Sequence, residues 1–117
     1  MAERLSNYRD FWPFYVGEHL HPATRWMHFV GTNGVVALAV LVALTQDLRL
    51  LAALPVCGYG FAWVSHFFIE KNRPATFTYP AWSLFADFQM WVFMWTGKMD
   101  AEVEKVRAAR VATASAR

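Results

Sequence analysis

The residues best suited to chemistry in this sequence are its four histidines, His19, His21, His28 and His66. All four lie at the ends of long apolar runs, where ionisable side chains are costly and usually functional. Imidazole binds iron, zinc, copper and nickel, and three imidazoles around one metal leave positions open for substrate and oxygen. The histidines therefore suffice for a mononuclear metal site. The alternative interpretation is that these are interfacial histidines, whose polar tips lie among lipid headgroups.

Two charged residues after His66 extend this candidate site. Glu70 follows His66 by one helical turn, so the two residues share a helix face. We interpret Glu70 as a carboxylate that orients an imidazole, with direct ligation or pairing with Arg73 as alternatives. Arg73 follows the predicted helix exit, where its guanidinium could pair with a substrate carboxylate. Its alternative role is to set membrane topology as one of several cations at that end.

Composition limits the classes of protein to which the chain can belong. Its 117 residues predict one domain, with 56% apolar and 17% charged residues, against about a quarter charged in soluble domains. The net charge of +2 is too small to indicate a nucleic-acid partner. Cys57 is the only cysteine, which excludes an internal disulfide and a thiolate metal site. The sequence also has no glycine-rich phosphate loop, nucleophile elbow or HExxH motif.

Two apolar runs, 26–45 and 50–69, must position the histidines. Each is long enough to cross a bilayer core, at about 1.5 Å per helical residue. The short polar turn between them predicts an antiparallel pair, with Gly31 and Gly34 allowing close approach. His28 begins the first run and His66 ends the second, so we expect both at the same end. Thr24 is the expected N-cap of the first run.

The remaining chain predicts two more helices and a tail. Residues 4–19 form a helical piece interrupted by Pro13, and residues 81–97 form a helix that spans or packs at an angle. We therefore predict an all-α fold, a small integral-membrane helical bundle of about four helices with two or three spanning. The predicted organisation is a membrane helical catalytic domain over 1–98 and a polar C-terminal tail over 99–117.

The distribution of positive charge predicts the orientation of this bundle. Five cations lie on the histidine side of the apolar runs, whereas Arg49 alone lies in the opposite short turn: Arg4, Arg9, Arg25, Lys71 and Arg73. Because lysine and arginine accumulate on the cytoplasmic side, the metal site is expected to face the cytoplasm. In a bacterium this would be the inner (cytoplasmic) membrane.

Two stretches of the chain resemble a known family. They are FWPFYVGEHLHPATRWMHFVGT at 11–32 and GYGFAWVSHFFIEKNRPATFTYPAWSLFADFQMW at 58–91. The chain up to about residue 97 resembles the small membrane-protein family of the fungal 2-hydroxy fatty acid dioxygenase. The motifs are His-x8-His leading into one span and His-x3-Glu-Lys-x-Arg-Pro-Ala leaving the next. By this resemblance, His19, His28 and His66 are metal ligands, with His21 as a fourth candidate, and Glu70, Arg73 and Pro74 form the exit motif.

The resemblance implies Fe(II)-dependent alpha-oxidation, in which a long-chain 2-hydroxy fatty acid loses one carbon using molecular oxygen. A 2-hydroxy carboxylate can chelate a metal through two oxygens, which suits a site with three imidazoles. It also implies a protein that lies in membrane lipid and has no nucleic-acid partner. Such a protein could form a homo-oligomer. Two alternatives remain open: a non-enzymatic membrane module that binds a lipid or partner helix, and a haem or quinone protein with His28 and His66 as axial ligands.

Overall fold

The computed structural model of this protein describes residues 4–116, among which there are helices and no β-strands. Five α-helices are present in this part: α1 (Tyr8–Gly17), α2 (Pro22–Thr45), α3 (Ala53–Val64), α4 (Pro80–Thr96) and α5 (Met99–Ser115). Shorter elements are the 3₁₀ helices Leu48–Ala52 and Ala75–Phe77 and the π-helical segment Ser65–Glu70. The all-α prediction is confirmed, and most of the predicted polar tail is helix α5.

The chain forms two compact units, of which one is His21–Pro74. This unit is a helical hairpin in which α2 packs along α3. Pro22 occupies the start of α2, and His21 is extended before it, at φ −80° and ψ 127°, as a residue before proline should be. The His21 side chain accepts a hydrogen bond from the Ala23 backbone N–H and caps the helix. The prediction that Thr24 is the N-cap was wrong, because proline starts the helix two residues earlier.

Glycines on α2 allow the two helices of this hairpin to approach closely. A β-carbon on Gly31 would lie 3.0 Å from Phe61 Cβ and 3.3 Å from the Cys57 carbonyl oxygen. One on Gly34 would lie 2.5 Å from Cys57 Sγ. The predicted small-residue surface is therefore used inside the hairpin, and it sets the spacing and register of the two helices that carry His28 and His66.

Two helical stretches of this unit are long and apolar enough to cross a membrane, Pro22–Thr45 and Leu48–Glu70. Only 11% of the apolar window of the first and 17% of that of the second are buried inside the protein. A core helix of a soluble protein would bury most of this surface, so the outward apolar faces suit lipid. Among the described residues, helix α4, with 17 residues, is not one of these candidate membrane-spanning stretches.

The second unit contains the chain up to Leu20 and the chain from Ala75 onward, with α1, α4 and α5 packed on one another. Phe11 and Tyr15 of α1 are its largest fully buried side chains, and Met99 and Val103 of α5 also lie in its core. Pro13 lies inside α1 without dividing it. The division into domains 1–98 and 99–117 stays a prediction, and residues 1–3 and 117 lie outside the described part.

Candidate metal centre

His28 and His66 form a buried pair in the hairpin unit. His28 lies near the start of α2 and His66 lies in the π-helical segment that follows α3, with exposed fractions of 5% and 2%. Their Nε2 atoms are 3.3 Å apart, and the rings meet edge to face with centroids 5.2 Å apart. The prediction that an antiparallel helix pair brings these two histidines to the same end is confirmed.

The spacing of this pair fits two ligands of one metal ion. Two nitrogens about 2.1 Å from a metal, at an angle of roughly 100°, lie about 3.2 Å from each other. The observed separation of 3.3 Å between the Nε2 atoms agrees with that value. Imidazole is a ligand for iron, zinc and copper alike, so the pair could hold any of these three metals.

Asn72 holds the His66 ring from the other side. The Nδ1 atom of His66 lies 2.7 Å from Asn72 Oδ1, and the Asn72 backbone N–H donates to the His66 carbonyl oxygen at 2.9 Å. An amide oxygen only accepts, so Nδ1 carries the proton and Nε2 is the unprotonated nitrogen of a neutral ring. Lys71, in the left-handed conformation at φ 60°, reverses the chain between the two. This asparagine was missed in the sequence, where it reads as one more polar loop residue.

His19 belongs to the other unit and is fully buried. Its Nδ1 lies 2.6 Å from the Tyr15 carbonyl oxygen, which only accepts, so here too Nδ1 carries the proton. The Tyr15 ring stacks on the imidazole, with centroids 4.1 Å apart and an interplanar angle of 27°. The chain thus has three buried histidines that could hold a metal ion, His19, His28 and His66.

His21 and Glu70 meet at the start of α2. The His21 backbone N–H donates to Glu70 Oε1 at 2.6 Å, while the His21 imidazole, exposed, caps the helix. The carboxylate predicted to orient an imidazole thus contacts the main chain of the connection that leads into α2. Asn72 contacts the His66 imidazole directly. Arg73, the next residue, is exposed.

Thr24 contributes a buried hydroxyl one helical turn before His28. Its side chain is fully buried, and within residues 4–116 its Oγ1 has no hydrogen-bond partner. A buried polar group without a partner destabilises a protein by about 1–3 kcal/mol. The hydroxyl of Thr24 is therefore suited to bind an oxygen atom of a ligand or a water molecule.

Comparison with known proteins gives one family match. A model of the family described as "2-hydroxy-palmitic acid dioxygenase Mpo1-like" matches residues 5–99. The matched region contains the four histidines together with the loop that carries Glu70, Asn72 and Arg73. No curated protein and no solved structure matched the chain significantly.

Proposed function

Because the chain belongs to the family described as 2-hydroxy-palmitic acid dioxygenase Mpo1-like, we propose that it is an Fe(II)-dependent dioxygenase that shortens long-chain 2-hydroxy fatty acids by one carbon. The observation that carries the proposal is the buried pair of Nε2 atoms of His28 and His66, 3.3 Å apart. In a family whose description names a dioxygenase, such a pair is most simply part of a metal centre.

The proposed ligands are the Nε2 atoms of His19, His28 and His66. His19 is included because it is buried, its Nδ1 is already bonded, and only two residues separate it from α2. Bound Fe(II) would supply the reaction of the substrate with molecular oxygen. We assign His21, the fourth predicted ligand, to the cap of α2, and Glu70 to holding the backbone at that cap.

The proposed reaction balances with one O₂ for each substrate. The carboxyl carbon leaves as CO₂, and C2, which already carries a hydroxyl, is oxidised to the new carboxyl group. These two oxidations supply the four electrons that reduce one O₂, and the overall products are the shortened acid, CO₂ and one water. On the protein, Arg73 would pair with the substrate carboxylate, and the Thr24 hydroxyl would bind a substrate oxygen. The acyl tail would lie along the apolar outer surface of the hairpin.

We place the hairpin across a membrane with its histidine end toward the cytoplasm, which in a bacterium is the inner membrane. Arg25, Lys71 and Arg73 lie near the histidine end in sequence. At the opposite turn, Arg49 is paired with Asp47 through two contacts of 2.9 Å. Arg49 is thus the one cation of this turn, against three at the histidine end, and the positive-inside rule favours the histidine end as cytoplasmic.

The first test is oxygen-dependent loss of one carbon. Untagged protein in detergent, loaded with Fe(II) and given 2-hydroxypalmitic acid, is expected to form the C15 fatty acid in air. Product should be absent under anaerobic conditions and after treatment with a chelator, and mass spectrometry measures it. Equal product without oxygen would refute a dioxygenase. Bound lipid without metal or turnover would favour the non-enzymatic module, and a Soret band would favour haem.

Replacement of Arg73 by lysine tests the proposed carboxylate contact. Lysine keeps the charge that sets topology but loses the planar fork of the guanidinium. We expect KM to rise about tenfold, the equivalent of one charge-assisted hydrogen bond of about 1.5 kcal/mol, with iron content unchanged. Lys71→Arg, at the exposed neighbouring cation, is the matched control and should leave KM unchanged. An unchanged KM in Arg73→Lys would mean that Arg73 only sets topology.

A further inference from the structure

Three stacked rings lead from the interior of α1 to His19. The Trp12 and Tyr15 rings are stacked, with centroids 5.6 Å apart and an interplanar angle of 15°. Tyr15 in turn stacks on the His19 imidazole at 4.1 Å. One face of the imidazole is therefore covered by a buried aromatic ring, which restricts the tilt of the imidazole plane.

Carboxylates on α4 and α5 hold the first two rings of this stack, those of Trp12 and Tyr15. The Tyr15 phenol donates a hydrogen bond to Asp87 Oδ1, and Trp12 Nε1–H donates to Glu102 Oε1 at 2.9 Å. The stack is thus anchored at both the phenol and the indole.

A second phenol contact between α1 and α4 serves as a comparison. Two residues further along α4, Gln89 accepts a hydrogen bond from the Tyr8 phenol through a neutral amide. At Asp87, by contrast, burial raises the pKa of the carboxyl group to about 7, which reflects the difficulty of placing a carboxylate there. The phenol of Tyr15, unlike that of Tyr8, belongs to a ring stacked on a histidine.

We propose that Asp87 and Tyr15 are positioning residues for His19, which they orient so that its Nε2 points at the metal. Asp87 holds the phenol, and Tyr15 then restrains the imidazole twice, through its ring face and through its carbonyl oxygen on Nδ1. Neither residue is assigned a contact with metal or substrate. The inference rests on the proposed function in one respect, that His19 is a metal ligand. Loss of a residue that orients a metal ligand typically lowers metal affinity or activity 10- to 100-fold.

The test is Co(II) binding to the full chain in detergent, followed by its visible absorption. Tyr15→Phe and Asp87→Leu are expected to weaken Co(II) binding about 10-fold or more and to change the absorption spectrum. Asp87→Asn should restore most of the affinity, because the amide oxygen still accepts from the phenol. Tyr8→Phe is the matched control: it removes the parallel phenol contact between α1 and α4 and should leave affinity and spectrum unchanged.

Several outcomes would overturn the inference, and they are distinct from failure of the proposed function. Wild-type Co(II) affinity and spectrum in both Tyr15→Phe and Asp87→Leu would refute it. An equal loss in Tyr8→Phe would also refute it, because the effect would then be a general loosening of α1 on α4. If Asp87→Leu does not fold by circular dichroism, Tyr15→Phe alone decides. Absence of Co(II) binding in the unmodified protein would refute the metal centre itself, and this inference with it.

Discussion

Replacement of His66 by alanine is expected to abolish metal binding and oxygen-dependent activity. The side chain is buried, its Nδ1 is bonded to Asn72, and its Nε2 faces that of His28 at 3.3 Å. Loss of a direct ligand should exceed the 10- to 100-fold effect of losing an outer partner, so we expect a decrease of more than about 100-fold in metal affinity. His28→Ala should behave in the same way. Metal content and formation of the shortened acid measure both effects.

The matched control for these variants is His21→Ala. His21 is exposed and caps α2 through its Nδ1, so its loss should lower stability by about 1 kcal/mol without removing the metal. Thermal unfolding and metal content of the same preparation separate the two effects. Full metal occupancy in His66→Ala would contradict the metal centre. Loss of metal in His21→Ala, with the fold intact, would show instead that His21 is a ligand.

The second large effect is expected at Asn72. Asn72→Ala removes the acceptor that fixes the Nδ1–H tautomer of His66, so metal affinity should fall by about 10- to 100-fold. Asn72→Asp keeps an oxygen at that position and should retain most of the affinity. The backbone contact from Asn72 N–H to the His66 carbonyl oxygen is available to all of these variants, so a loss would report on the side chain. Metal titration of each variant is the measurement.

Glu70→Gln serves as the comparison for Asn72. The glutamine Oε1 can still accept from the His21 backbone N–H, so a role confined to that contact predicts nearly normal metal affinity. If Glu70→Gln lowered metal affinity as much as Asn72→Ala, the charge of Glu70 would matter to the imidazoles directly, as the four-residue spacing to His66 first indicated. Wild-type affinity in Asn72→Ala would refute the orienting role of the asparagine.

The sequence by itself determined the framework of the hairpin and the meeting of two of its histidines. Two apolar runs of equal length with a short polar turn can pair only antiparallel, so the start of one meets the end of the other. That places His28 beside His66 without knowledge of any side-chain contact. Pro22 likewise determined an extended His21, because the proline ring clashes with a helical conformation of the residue before it. The all-helical class followed from the same patterns of apolar residues.

Only the tertiary structure decided which groups hold the histidines. Hydrogen-bond partners depend on the rotation and register of packed helices, and these follow from contacts such as Gly31 against Phe61 rather than from spacing along the chain. Asp87 lies 72 residues from Tyr15, and no periodic pattern connects them. Even nearby, the contact of Asn72 with His66 depends on the π-helical segment and the left-handed Lys71, which turn the loop back onto His66. Local sequence determined the elements, and packing determined their polar partners.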